Sequence, residues 1–194
     1  MPVPVEIEET EIEGVLLIKT PIYGDHRGYF QECYARDSWA DKGFRETFVQ
    51  DNLSKSCKGT LRGMHYQLSS HGQGKLVRAL EGSIYDVVID LRRGSPTFGN
   101  WFGCELSAEN GHALWVPIGF AHGFIALQDD TLVLYKVTTP WAPQAERSLN
   151  YKDPRVNIQW PIEPTAVSPK DEAAPFLDAA EYDFTWAPPI RKDI

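Results

Sequence analysis

The stretch Ser83–Leu91 alternates along its length, with Tyr85, Val87, Ile89 and Leu91 on one side and Ile84, Asp86, Val88 and Asp90 on the other. A period of two marks a β-strand with one face packed inward and the other more polar. Seven more short runs rich in β-branched and aromatic residues share its character: Gly14–Lys19, Tyr29–Tyr34, Phe48–Ser54, Leu76–Leu80, Phe98–Leu106, His112–Val116 and Thr131–Val137. Turn-forming residues fall between them at Glu81-Gly82, Arg93-Gly94-Ser95-Pro96 and Gln128-Asp129-Asp130, at spacings that suit antiparallel hairpins better than βαβ crossovers. An all-β antiparallel sandwich or barrel is expected. The one early helix expected is Ala35–Lys42, with Asp37 and Ser38 as N-terminal signals and Gly43 as the stop.

A chain of 194 residues supports one domain with a sizeable core. From Pro154 onward seven of the fourteen prolines crowd into the last 41 residues and periodicity fades, so 154–194 is expected to wrap the domain rather than form a second one. Apolar residues make up 42% and charged residues 24%, too apolar a balance for disorder. The apolar stretch Leu114–Ala121 is broken by Pro117 and Gly119 and no run approaches the ~20 apolar residues a bilayer span needs, so none is expected. Lys and Arg number 19 against 27 Asp and Glu, a formal charge of −8 that repels polyphosphate, and nucleic acid is not an expected partner. A few clustered cations on such a surface still suit a small phosphorylated ligand. Cys33, Cys57 and Cys104 are odd in number and form no CxxC pair, which argues against a disulfide framework and a cysteine zinc site. Met1–Thr10 is acidic and lacks the features of a signal peptide, so a cytoplasmic protein is expected.

Four segments concentrate residues that can carry chemistry. Phe48–Gln67 places Gln50, Asn52, Arg62, His65 and Gln67 in two β-like stretches otherwise suited to a core, and burying so many polar groups is unfavourable unless they bind something. Taken alone, His65 reads as a hydrogen-bonded core histidine; the clustering points to a ligand pocket. Arg62 and His65, three apart, face opposite ways in a regular strand, so a shared pocket requires an irregularity, expected at Gly63. Gln73–Arg78 sends Lys75 toward the interior after Gly72 and Gly74, while Arg78 reads as an edge residue that snorkels. Trp115–Leu127 resembles the second half-motif of a cupin, P-x-G-x-x-H, with Pro117, Gly119 and His122 in register. The first half offers only His65, so no three-histidine metal site can be assembled and no cofactor is expected. Leu132–Arg147 carries Tyr135 on a strand and Trp141 on a Pro-flanked loop, where an indole makes a flat stacking surface for a base.

DHRGYFQE (Asp25–Glu32), VQDN (Val49–Asn52), LRGMHYQ (Leu61–Gln67), QGKLVR (Gln73–Arg78), PIGFAHGF (Pro117–Phe124), YKVT (Tyr135–Thr138) and SPKD (Ser168–Asp171) occur in that order. Together they resemble the dTDP-4-dehydrorhamnose 3,5-epimerase family from about Lys19 to Asp171. The resemblance implies a metal-free cupin-type antiparallel jelly roll with a few short helices and an irregular Pro-rich tail. It also implies one domain over 1–194: N-terminal strands and a short helix in 1–47 that cross to a partner in a homodimer, a jelly-roll core in 48–153, and the tail. The substrate it implies is a dTDP-linked 4-keto-6-deoxy sugar, epimerised in dTDP-L-rhamnose biosynthesis. By the same resemblance His65 is the general base, Asp171 its orienting carboxylate, Tyr135 the acid and Lys75 the cation near the C4 oxygen. Arg27, Glu32, Gln50, Asp51, Asn52, Arg62, His122, Glu146 and Lys170 match substrate-site positions, with Arg27 and Glu32 reaching the neighbouring subunit's ligand. Trp141 stands where the family has a tyrosine that stacks on thymine, which keeps the stacking surface and drops a hydroxyl.

These residue types suit that chemistry. A C4 ketone acidifies the protons on C3 and C5 if the enolate is stabilised, and a fixed cation near O4 does so. Inversion needs a base and an acid on opposite sides of the ring; a neutral imidazole (pKa near ~6.5) and a protonated phenol (pKa near ~10) fit those roles at neutral pH. A 3-epimerase, an epimerase of another nucleotide-linked 4-ketosugar, a non-catalytic sugar-nucleotide-binding cupin and a metal-dependent cupin oxygenase are the alternatives.

Overall fold

In the computed structural model, which describes residues 4–188, the β-like runs become strands of two opposed sheets. The ends of the expected domain, 1–3 and 189–194, lie outside the described residues. In chain order the strands are β1 (Glu6–Glu9), β2 (Leu16–Lys19), β3 (Ile22–Asp25), β4 (Gly28–Gln31), β5 (Gln50–Ser56), β6 (Thr60–Gln67) and β7 (Lys75–Glu81). They continue as β8 (Ser83–Asp90), β9 (Trp101–Ser107), β10 (His112–Val116), β11 (Phe120–Ala126), β12 (Thr131–Val137), β13 (Glu146–Ser148) and β14 (Ala166–Val167). The helices are α1 (Arg36–Ala40) and α2 (Pro169–Glu172). One sheet runs β1-β2-β10-β7-β12-β5; the other runs β13-β6-β11-β8-β9, with β14 pairing parallel to β6. The other pairings between these strands are antiparallel, and an isolated parallel bridge joins Arg93 to Thr185. The fold is an antiparallel jelly roll.

Two of the three expected hairpin turns are corners instead. Glu81-Gly82 carries the chain from β7 in the first sheet to β8 in the second, and Gln128-Asp129-Asp130 carries it from β11 back to β12. The residues of a tight turn serve equally well to switch sheets, since both need positive φ; Gly82 has φ +68° and packs so close to Thr131 that a Cβ would lie 2.5 Å from its Oγ1. Only Arg93–Pro96 joins paired neighbours, β8 and β9. β11 shows no alternation because it is buried along its whole length, and β1 is an acidic edge strand; neither follows the period-two signal.

Both faces of β8 are buried, which corrects its expected inward and polar sides. Ile84 and Val88 lie between the sheets with Val77, Leu106, Leu114, Phe120, Phe124 and Val133. Val87, Ile89 and Leu91 pack outward against Tyr151, Val156, Ile158, Leu177 and Phe184 of the C-terminal segment. That segment seals the outer face of the second sheet, each fully buried apolar side chain contributing roughly 1.5–3 kcal/mol. Trp39 and Phe44 cover the outer face of the first sheet against Leu76 and Trp115. The helix that carries Trp39 is shorter than expected. Its N-cap is Ala35, without a side-chain cap, while Asp37 and Ser38 lie within the first turn; Gly43, at φ +95°, bonds back to the Ala40 carbonyl and ends it.

Arg78 is not at an edge. β7 lies between β10 and β12, and Arg78 is buried beneath Gln31, whose Oε1 accepts from Nη1 at 3.4 Å. β1 and β2 complete the first sheet of their own chain, whereas β3 and β4 form a separate hairpin that exposes Tyr23, Tyr29 and Phe30. No helix among the described residues is long and apolar enough to cross a membrane.

Candidate active site

A cavity of about 650 Å³ opens between the two sheets, a size that suits a small-molecule ligand. Strand alternation selects what enters it. On β5, Gln50, Asn52 and Ser54 face the cavity, and Gln50 Nε2 donates to Asn52 Oδ1 at 2.7 Å. Asp51, expected at the substrate site, is turned the opposite way by the same alternation and pairs with Lys136 at 2.6 Å on the outer surface. On β12, Tyr135 lines the cavity.

β6 contributes both Arg62 and His65, through an irregularity at Gly63. Opposite β11, His65 pairs with His122 and Arg62 with Phe124, so three steps on β6 match two on β11. The extra residue is accommodated at Gly63, with φ +133°, where a Cβ would lie 2.4 Å from the Gly123 Cα. The bulge turns both side chains into one cavity. Arg62 is held by Ser56 Oγ at 3.0 Å and the Lys55 carbonyl at 3.1 Å.

His65 Nε2 lies 2.6 Å from Asp171 Oδ1, a contact between residues 106 apart in the chain. Asp171 is buried in α2, and Ser168 caps that helix by accepting the Asp171 N–H at 3.1 Å. Asp171 Oδ2 accepts the Gly63 N–H at 3.4 Å. Burial acts to raise the Asp171 carboxyl, but the hydrogen bond and charge of His65, with the Gly63 and Ser168 contacts, hold it below the usual carboxylate range. The C-terminal segment thus brings a buried carboxylate back to the strand that carries the imidazole.

Lys75 opens β7 with its side chain buried in the cavity wall, and Nζ donates to the His65 carbonyl at 3.2 Å. Burial pushes its ammonium down to about 8, against the charges of Asp86 and Glu146. The Tyr135 hydroxyl is pushed up by burial, opposed by Arg62 and reinforced by Glu146, so the phenol is protonated at neutral pH. Tyr135 belongs to the first sheet and His65 to the second, so the two groups enter the cavity from opposing walls.

The family model for dTDP-4-dehydrorhamnose 3,5-epimerase matches residues 9–179. The chain belongs to that family. A dTDP-4-dehydrorhamnose 3,5-epimerase from Pseudomonas aeruginosa is 47% identical over 171 residues, 87% of this chain and 94% of the relative. The crystal structure of the Legionella pneumophila dTDP-6-deoxy-D-glucose-3,5-epimerase, in complex with dTDP-4-keto-L-rhamnose, superposes with a TM-score of 0.86 at 45% identity, covering 91% of this chain and 94% of that one. A 3'-monoepimerase from Streptomyces bikiniensis, in complex with dTDP-quinovose, superposes with a TM-score of 0.82 at 37% identity, covering 87% and 86%.

In this epimerase-family cavity Glu146 and Lys170 both line the wall and pair with each other at 2.6 Å. Trp141 lines the mouth and is 60% exposed. Its loop is fixed by Gln67, whose Oε1 accepts the Ala142 N–H at 2.6 Å and whose Nε2 donates to the His71 and Pro140 carbonyls. Gln67 is therefore a buried clamp outside the cavity lining. Arg27 and Glu32 are not brought to the cavity of their own chain; Arg27 is exposed at the tip of the β3–β4 hairpin and pairs with Asp25 at 2.5 Å. Sequence reasoning assigned no role to Asp86, which bonds His122 Nε2 through Oδ1 at 2.8 Å, although its place between Ile84 and Val88 is visible in the alternation. Among the described residues no three His, Cys, Asp or Glu side chains form a metal-binding group.

Proposed function

We propose that this chain inverts C3 and C5 of dTDP-4-dehydro-6-deoxy-D-glucose to give dTDP-4-dehydro-L-rhamnose, with His65 as base and Tyr135 as acid. The observation that carries the reading is the pair of opposing walls: an imidazole locked to a buried carboxylate on one, a protonated phenol on the other. His65 takes the proton from the carbon next to the C4 ketone, and the electron pair moves onto O4 as an enolate. The Lys75 ammonium lies where low dielectric strengthens its hold on that oxygen. Tyr135 delivers a proton to the opposite face of the carbon. His65 then loses its proton to solvent and Tyr135 regains one, and the cycle repeats at the second carbon. Asp171 fixes the ring and stabilises the imidazolium.

Arg62 and Lys170 suit the diphosphate, Gln50, Asn52, His122 and Glu146 the sugar, and Trp141 the thymine face. The working unit in this reading is a homodimer in which the β3–β4 hairpin of one copy brings Arg27 and Glu32 to the cavity of the other. Its exposed Tyr23, Tyr29 and Phe30, with Val49 and Leu53 around edge strand β5, support a covered surface there. The domain reading follows: a jelly-roll core over 48–153, a hairpin-bearing N-terminal segment, and a tail whose Asp171 completes the site.

A second reading, inversion at C3 alone, is favoured by the likeness to a 3'-monoepimerase and by Trp141 in place of the family tyrosine. Proton NMR of the ketosugar in heavy water separates the two. Deuterium at both C3 and C5 with the L-sugar as product is expected; label at C3 alone establishes the second reading, and label at neither refutes both.

A further inference from the structure

Asp86 has no solvent exposure and stands on the inward face of β8, between Ile84 and Val88 of the apolar interior. A carboxylate in such a place is strongly unfavourable unless opposite charge and hydrogen bonds offset its lost hydration. Its Oδ1 is bonded to His122 Nε2 at 2.8 Å, but its Oδ2, also buried, accepts no hydrogen bond among the described residues. Lys75 carries the reverse deficit, and it is joined to Asp86 through two residues: its Nζ bonds the His65 carbonyl, and His65 pairs across the sheet with His122. The Lys75 ammonium has three donors, and its hydrogen bond goes to a neutral group, the His65 carbonyl.

The titratable groups that line the cavity with Lys75 are His65 and Arg62 on β6, His122 on β11, Tyr135 on β12, Glu146 on β13, and Lys170 and Asp171 on α2; Asp86 on β8 stands behind His122, with Cys104 opposite it on β9. Of the carboxylates, Asp171 is bound to His65 at 2.6 Å and Glu146 to Lys170 at 2.6 Å. Among these acids Asp86 is the one with a buried oxygen that accepts no hydrogen bond from the described residues. We propose that Asp86 is a positioning residue of this site: Oδ1 fixes the His122 ring, and the free Oδ2 makes the carboxylate the counter-charge of the Lys75 ammonium. Arg62 and Lys170, the other cations in the cavity, are each held by other partners. The arrangement balances the buried cation in the resting site with a carboxylate on the opposite sheet, and leaves the ammonium free to turn toward a newly charged oxygen. Its catalytic consequence rests on Lys75 holding the enolate; the charge pairing itself does not.

The test is an NMR titration of the Lys75 side chain in the full-length protein without sugar, repeated in two variants. In Asp86→Asn, of the same shape without the charge, Lys75 is expected to release its proton at least ~1 pH unit lower, the small end of what a neighbouring opposite charge supplies. An unmoved titration overturns the proposal. In His122→Asn the carboxylate remains and Lys75 titrates at or above the wild-type value. A fall there assigns the effect to the imidazole and overturns the proposal, whether or not Asp86→Asn folds. The alkaline limb of kcat/KM in Asp86→Asn follows the Lys75 titration downward. If the titration moves and the limb stays, the counter-charge stands and the role of Lys75 in holding the enolate falls.

Discussion

Replacing Lys75 with methionine is expected to stabilise the fold while abolishing epimerisation. Burial brings the ammonium from its ordinary 10.5 down to about 8. At about 1.4 kcal/mol for each pH unit, holding that proton at neutral pH costs the folded state on the order of 3 kcal/mol. Methionine has a similar reach and no charge to desolvate, and it forfeits one hydrogen bond to the His65 carbonyl, worth ~1 kcal/mol. The net gain at pH 7 is therefore ~2 kcal/mol, or a Tm roughly 4–8 °C higher for a chain of this size. The sign follows from linkage. Because the folded value lies below the unfolded one, the unfolded chain binds more protons between about 8 and 10.5, so the Lys75 contribution to stability rises with pH across that window. The gap between wild type and variant should accordingly be widest below pH 8 and close by about pH 10.5. Urea unfolding at stepped pH reads it directly. A variant no more stable than wild type at pH 7, or a gap that does not narrow above pH 8, refutes the account of Lys75 as a cation held against its burial.

Gly63→Ala forces a Cβ into the Gly123 backbone at a φ of +133°, and strain with overpacking there should remove about 3 kcal/mol in urea unfolding; a loss below ~1 kcal/mol contradicts the bulge geometry. Trp141→Ala should weaken dTDP binding by ~1–3 kcal/mol in calorimetry with kcat less affected, and unchanged affinity removes the indole from base stacking. Asp171→Asn should lower kcat by at least ~10². Since the folded Asp171 carboxyl is held below the usual range, its stabilising contribution is present above the unfolded value near ~4 and is lost as pH falls through the folded one. Wild type and Asp171→Asn should therefore converge in stability on acidification, and a constant difference down to pH 2 contradicts the His65–Asp171 coupling.

The architecture was legible wherever a local pattern had a local cause. β-branched runs are strands, and the conflict between the spacing of Arg62 and His65 and a shared pocket points to the bulge at Gly63 from the sequence alone. What local pattern does not carry is which sheet a strand joins. Glu81-Gly82 has turn chemistry whether the chain reverses within a sheet or crosses to the other, so two expected hairpins proved to be corners. Burial from a distance was equally hidden. β8 reads as half polar because nothing within it reports that the C-terminal segment covers one face and that Asp86 meets His122 on the other. Arg78 reads as a snorkelling edge residue until β10 and β12 are known to flank it. Within the site, alternation separates Gln50 and Asn52 from Asp51, a distinction available in the sequence once β5 is taken as regular. The pairing of His65 with Asp171 joins residues 106 apart, a separation that no local spacing carries and that only the family resemblance implies.

The central claim is that hydrogen leaves and returns on opposite faces of the sugar through His65 and Tyr135. Tyr135→Phe in heavy water, followed by proton NMR, tests it most directly. With the imidazole intact and the phenol gone, deuterium should still enter the substrate with its configuration retained, because His65 abstracts and returns hydrogen on one face, while inverted product falls by at least ~10². Inversion at the wild-type rate, or loss of exchange together with inversion, would contradict the assignment.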